Sequence, residues 1–393
     1  MRHAHRPARA APRLALGPIA RDHAESVRAS ARLSAGQDAV LRAVERCRTG
    51  ALGGHVEVCE ACGHREPRFH SCRNRHCPTC QAIEQHRWLE KRRERLLETP
   101  YFHCVFTVPD ALRALFQAHP RLMFDTFFDS VRHTLLTFAR DPAHLGALPA
   151  ITAVLHTWTR ELLFHPHIHA IVSAGGWSEP ANAWVPSHRR FLFPVKAMAK
   201  VLRGTMREAI LAAAQRGELV LDATTEPLVR RALFESRWIV YAKPPFGSVD
   251  DVFAYLGRYT HRVGISNGRL LDYDGSTVSF ATKFGTSISL DAGEFLRRFL
   301  RHTLPSRFHK IRHFGLASSS HIRLGTLERA RTALAPHRPP PAPATRPPAT
   351  TAELLLALTG FDLRRCGHCG EQALLAAPLD VPLGASAQEL DSS

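Results

Sequence analysis

The segment His165-Pro166-His167-Ile168-His169-Ala170-Ile171-Val172 constrains this chain most. Side chains of an extended strand alternate between faces, so His167 and His169 share one face while Ile168, Ala170 and Val172 share the other. Such a strand belongs in a sheet that packs one face into an apolar core and keeps the other for polar chemistry. Two imidazoles side by side on the polar face are candidate ligands for a divalent cation. At least one more ligand is expected. Glu161 is the nearest carboxylate, His165 shares the parity of His167 and His169, and His261 follows later in the chain.

Residues 248 to 259 read as a helix, which places Tyr255 and Tyr259 one turn apart on one face. A phenol, with a pKa near ~10, is a poor nucleophile at neutral pH unless assisted. A cation held by His167 and His169 beside a phosphodiester supplies that assistance. Attack by tyrosine would leave a 5′-phosphotyrosine and a free 3′-OH, and two tyrosines allow two sequential transfers. Mg²⁺ prefers oxygen ligands and Mn²⁺ tolerates imidazole better, so the expected catalytic ion is Mg²⁺ or Mn²⁺. Arg258 and Arg262 flank the second tyrosine and are candidate phosphate clamps.

Five of the nine cysteines fall between positions 59 and 80. Cys59-x-x-Cys62 and Cys77-x-x-Cys80 are two knuckles separated by 14 residues, and the expectation is that they close one structural Zn²⁺ site together. Cys72 and His76 are candidate extra ligands, with His55 and His64 also nearby. Arg73 and Arg75 thread the module and are candidate DNA contacts. A closed zinc site does no chemistry, so its expected role is grip and placement on DNA. A second pair, Cys366-x-x-Cys369, is too small to close a site alone.

The formal net charge is +17, and 46 of the 52 basic residues are arginine, which favours a polyanionic partner. A GC-rich genome that inflates arginine is the alternative source of that bias. No apolar run approaches the ~20 residues of a membrane span. The reading is a cytoplasmic protein without a membrane partner, beginning with a disordered basic tail over 1–34. A zinc-binding, DNA-binding domain is expected over 35–98, a catalytic domain over 99–330, a Pro-rich linker over 331–352, and a C-terminal tail with a knuckle over 353–393. Helices are expected over 35–48, 81–98, 120–140, 195–216 and 292–302. Strands are expected over 101–108, 151–159, 166–173 and 238–242, with a hairpin over 269–281 around Asp274-Gly275. Strands and helices do not alternate strictly, so the fold class is α+β with a mostly antiparallel central sheet flanked by helices.

Longer motifs then accumulate. They are Gly53-Gly54-His55, Ser71-Cys72-Arg73-Asn74-Arg75-His76-Cys77-Pro78, Thr157-Trp158-Thr159-Arg160, Tyr241-Ala242-Lys243-Pro244-Pro245-Phe246-Gly247 and Tyr255-Leu256-Gly257-Arg258-Tyr259-Thr260-His261-Arg262. Phe295-Leu296-Arg297-Arg298-Phe299-Leu300 and Arg312-His313-Phe314-Gly315-Leu316 extend the series. From about residue 40 to 320 the chain resembles the two-tyrosine rolling-circle transposases of bacterial insertion sequences, the insertion sequence ninety-one family with its N-terminal transposase zinc-binding domain. The resemblance implies a zinc-ribbon-like domain before an HUH endonuclease domain, His167 and His169 as metal ligands, and Tyr255 and Tyr259 as nucleophiles. It also implies single-stranded insertion-sequence ends and target DNA as partners, and Cys366 and Cys369 resemble the family's late knuckle. A homo-oligomer is compatible with this reading. The alternatives are a plasmid replication initiator or relaxase-type nickase, and a catalytically inactive zinc-dependent repressor.

Overall fold

A computed structural model describes residues 14–80, 95–190, 192–246, 251–252, 264–283, 285–335, 350, 352–354, 356 and 362–379. Tyr255, Tyr259, Arg258, His261 and Arg262 lie outside the described residues, as do most of the expected helix 81–98 and the linker. The described part is a mixture of helices and antiparallel sheets, as the α+β reading requires.

At its centre is a five-stranded sheet. Its strands are β3 (Tyr101–Thr107), β4 (Ala150–Trp158), β5 (Phe164–Ser173), β8 (Val240–Phe246) and β12 (Ile311–Gly315), in the order β12-β4-β5-β3-β8 with every pair antiparallel. β8 continues through Lys243, Pro244 and Pro245, where the sequence suggested that the strand had already closed. Proline cannot donate a ladder bond, so it is tolerated here because β8 is an edge strand with a register shift opposite Tyr101 and His103.

Phe164, Ile168, Ala170 and Val172 of β5 join Phe102, Cys104 and Phe106 of β3 and Ile151, Ala153 and Leu155 of β4 in one apolar layer. Helices α3 (Arg113–Ala118), α4 (Pro120–Arg140), α5 (Val195–Gln215) and α6 (Thr225–Phe234) supply its other half. In α4 the buried Met123, Phe124, Phe127, Phe128, Val131 and Leu135 recur at three- and four-residue steps, and Pro120 occupies the first turn, where no donor is lost. In α5 Met198, Leu202, Met206 and Ile210 repeat every four residues on one face. Each large side chain buried here is worth roughly 1.5–3 kcal/mol of apolar transfer, which fixes the sheet against the helices and leaves its opposite face to the histidines.

A second core corrects two expectations. Residues 16–30, expected within a disordered tail, form helix α1 (Leu16–Ser30), with Leu16, Ile19, Ala20, Ala24 and Val27 buried. Apolar residues at helical spacing outweigh the surrounding charges, which face outward; Arg28 pairs with Asp38 and Glu45 of α2 (Ala35–Glu45). A capping box of Ser34 and Gln37 starts α2. These helices pack with α7 (Ala292–Leu300) and the sheet of β9 (Leu270–Tyr273), β10 (Thr277–Ala281) and β11 (Ser287–Asp291). One apolar cluster thus joins residues 16–47 to residues 265–300, so packing ignores the boundary expected at 98.

The remaining described elements are two small sheets and a helical segment. β6 (Gly175–Ser178) pairs with β7 (Ala183–Pro186), and α8 (Ser319–Arg323) and α9 (Thr326–Leu334) follow β12. β1 (Gly54–Cys59) lies between β2 (Arg65–Phe69) and β13 (Leu374–Pro378).

Candidate metal centres and catalytic face

The core-free face of the central sheet carries the histidines. β4 and β5 form a hairpin whose register places Val154 opposite His169 and His156 opposite His167. His156, His167 and His169 offer ring nitrogens that all lie within 4.8 Å of one another. Donors about 2.1 Å from one ion are at most about 4.2 Å apart, so the three rings come close to a single coordination sphere. His156 has no motif of its own. Its signal is register, because a hairpin turning at residues 161–162 brings position 156 opposite 167.

Hydrogen bonds set the rings. Nδ1 of His167 donates to the carbonyl of His165 at 2.7 Å, which leaves Nε2 with a free lone pair. Nδ1 of His169 lies 2.8 Å from Nε2 of buried His103 on β3, and the two rings stack at 5.1 Å. Burial pushes the His167 pKa down to about 4 against the opposing bond to the His165 carbonyl, and holds His169 well below the usual range, helped by its imidazole neighbours and Lys243. His103 is lowered to about 4 by burial and then by Lys243. All three are neutral at pH 7, the protonation state in which imidazole binds metal. Exposed Lys243 pairs with His103 across β3 and β8, which puts an ammonium on the same face.

The other candidate ligands go elsewhere. His165 accepts from Arg113 at Nδ1 (2.9 Å), and Glu161 is exposed in the β4–β5 turn outside the imidazole group.

The four cysteines expected in one site are split between two. Cys77 and Cys80 group with Cys72 and with Cys47, which follows α2. Their sulfurs lie 3.4 Å (Cys47–Cys80), 3.6 Å (Cys72–Cys80) and 3.6 Å (Cys47–Cys77) apart. Sulfur atoms around a tetrahedral Zn²⁺ at about 2.3 Å are about 3.8 Å apart, so this set fits zinc. It lies in the second core, with Cys77 at 1 % exposure. Cys59 and Cys62 stand instead beside Cys366 and Cys369. The reason is topological. β1 and β2 carry the first knuckle away from the α1–α2 core, whereas the end of α2 delivers Cys47 to the second knuckle.

His76 joins neither group. Its Nε2 accepts the Leu304 N–H (3.1 Å) and its Nδ1 meets Asn74 (3.2 Å). Arg75 donates to the carbonyls of Phe308 (2.7 Å) and Pro305 (2.9 Å). Both residues tie the cysteine module to the segment leading into β12, and so to the edge of the five-stranded sheet. Arg73 is exposed, with φ +51°. No helix among the described residues is long and apolar enough to cross a membrane.

Comparisons with known proteins point to transposases. Residues 150–323 match the Y2_Tnp family model, described as "Putative transposase", and residues 19–108 match the transposase zinc-binding domain Zn_Tnp_IS91. The chain is 40 % identical over 383 residues to "Putative transposase y4qJ" of Sinorhizobium fredii, covering 94 % of this chain and 95 % of that one. It is 27 % identical over 353 residues to the transposase for insertion sequence element IS801 of Pseudomonas savastanoi pv. phaseolicola, covering 85 % and 82 %. No solved structure gives a significant match. The zinc-domain match begins inside α1, in line with the second core starting there.

Proposed function

Since the chain belongs to the IS91 family of transposases with an N-terminal zinc-binding domain, we propose that it cuts and rejoins single-stranded DNA at insertion-sequence ends during rolling-circle transposition. The observation that carries this reading is the trio His156, His167 and His169, three imidazoles converging on one sheet face within the segment matched by the transposase model. Mn²⁺ or Mg²⁺ held by these rings would draw charge from the scissile phosphate, and an all-nitrogen donor set favours Mn²⁺.

The chain's own residues do the rest. The phenol oxygen of Tyr255 or Tyr259 attacks phosphorus as its proton passes to water, the bond from phosphorus to the 3′ oxygen breaks, and that oxygen leaves as the 3′-OH after taking up a proton from water. The 5′-phosphotyrosine conserves the energy of the broken diester, so a second 3′-OH can attack it and restore the strand without ATP. His103 and the His165 carbonyl hold the tautomers of His169 and His167, and Lys243 offers a counter-charge to the phosphate. Arg73, Arg258 and Arg262 are proposed phosphate contacts.

The test is incubation with a labelled single-stranded element end and Mn²⁺. A covalent adduct is expected, lost in Tyr255→Phe/Tyr259→Phe and reduced at least ~10³-fold in His167→Ala with DNA binding retained. An adduct that survives the double phenylalanine variant overturns the nucleophile assignment. Binding with no adduct from the unaltered protein overturns the enzymatic reading.

A further inference from the structure

Cys59-Glu60-Ala61-Cys62-Gly63-His64 and Cys366-Gly367-His368-Cys369-Gly370-Glu371 lie at opposite ends of the chain yet fold into the same knuckle. The N–H of Gly63 donates to the Cys59 carbonyl (2.8 Å), as that of Gly370 does to Cys366 (3.0 Å). The N–H of Cys59 donates to the His64 carbonyl (2.9 Å), as that of Cys366 does to Glu371 (2.7 Å). Both glycines take left-handed backbone, φ +71° and +85°, with no neighbour within 4 Å of an added Cβ, so the turn itself demands glycine.

The two knuckles face each other. Sγ of Cys59 lies 3.7 Å from Cys369 and Sγ of Cys62 lies 3.8 Å from Cys366, with all four sulfurs within 4.8 Å. These separations are those of sulfurs around a tetrahedral Zn²⁺, about 3.8 Å, and far from the ~2.05 Å of a disulfide. The His64 and His368 rings stack at 5.1 Å and 11° beside them. β13 pairs with β1 from Cys59↔Leu374 to His55↔Pro378, and Glu60 N–H reaches the Ala373 carbonyl at 2.9 Å.

We propose that Cys59, Cys62, Cys366 and Cys369 form a second structural zinc site, which locks the C-terminal segment onto the N-terminal module as the third strand of a zinc ribbon. The paired cysteines are 310 and 304 residues apart in sequence. A loop of that length is closed only against a substantial entropy cost, and the free energy of zinc binding offsets it. Zinc and β13 together cover an edge of β1 that would otherwise be open to pairing with another chain. The C-terminal knuckle is therefore a component of the zinc module and not an appendage. This inference does not depend on the strand-cleavage reading.

The test uses the full chain loaded with Co²⁺, whose thiolate charge-transfer absorption is blind to the imidazole site. Two tetrathiolate equivalents are expected per chain. Cys366→Ser/Cys369→Ser should retain one, Cys59→Ser/Cys62→Ser should retain one, and the combined fourfold variant should also retain one. Two equivalents remaining in Cys366→Ser/Cys369→Ser, or none in the fourfold variant, overturns the shared site. A second measurement needs no substitution: the unaltered protein is stripped by chelator, oxidised, and its disulfides mapped by mass spectrometry. Links joining Cys59 or Cys62 to Cys366 or Cys369 are expected; links from Cys59 or Cys62 to Cys77 or Cys80 in their place overturn the proposal.

Discussion

The cysteine cluster of Cys47, Cys72, Cys77 and Cys80 and the imidazole cluster of His156, His167 and His169 solve opposite problems. The first supplies four soft donors inside an apolar core, so a bound ion is saturated and enclosed. The second supplies three imidazole donors on a sheet face with the core behind it, one fewer than the four that close a structural site. Four protein ligands close a structural metal site, whereas three leave a position open for chemistry, the role we propose for the imidazoles. A further contrast sits beside the imidazoles. Fully buried His302 spends both nitrogens on protein, Nδ1 on Thr157 (3.3 Å) and Nε2 on the Leu162 carbonyl (3.2 Å), which makes it a structural histidine.

The largest effect is expected at the enclosed cluster. Cys77→Ser should remove one zinc equivalent and cost several kcal/mol, because a fold-coupled metal and core packing are lost together. Its thermal unfolding midpoint should fall much further than that of Cys62→Ser, whose side chain is exposed. Equal falls in the two variants would break the distinction between an enclosed and a peripheral thiolate site.

A smaller effect is expected behind the imidazoles. His103→Phe should weaken Mn²⁺ binding roughly 10–100-fold by freeing the His169 ring, with zinc content unchanged. His103→Gln, which keeps an acceptor for His169, should recover part of the affinity. Titration followed by Mn²⁺ electron paramagnetic resonance decides the matter, and unchanged affinity in His103→Phe would remove the positioning role.

The smallest effect sharpens the contrast with His302, whose pKa burial lowers to about 4 from an ordinary 6.5, with Arg301 adding to the shift. Between those values the unfolded chain binds more protons than the folded one, so stability rises with pH and is lost as pH falls from about 6.5 towards 4. The groups facing this ring are Arg301, Thr157, the Leu162 carbonyl, Trp158, Phe164 and the nearby His76. His302→Gln should flatten part of the fall in unfolding midpoint between pH 7 and pH 4.5. An unchanged slope would show that His302 is not among the residues setting acid sensitivity.

Much of the architecture was legible in the sequence because its causes are local. Periodicity within α4 gave Pro120–Arg140 to the residue, and strand parity put His167 and His169 on one face and Ile168 and Ala170 on the other. Asp274-Gly275 marked the β9–β10 turn. α1 was misread because the segment 1–34 that contains it is rich in arginine, alanine and histidine, while its apolar residues show their order only at helical spacing. The prolines after Ala242 suggested a stop, and only the edge position of β8 explains why the strand continues.

What the sequence determined alone was the kind of donor at each position and its immediate geometry: thiolate knuckles, an imidazole pair on one strand face, and turns that need glycine. What the tertiary structure decided was partnership. The glycine after Cys62 and Cys369 gives those two knuckles the same turn, which the Cys77–Cys80 knuckle lacks, but a shared turn does not by itself say which knuckle faces which. His156 likewise becomes a neighbour of His167 only through hairpin register. Donor chemistry is set by the side chain and its adjacent backbone, whereas the choice of partner depends on where the packed sheets and helices carry segments hundreds of residues apart.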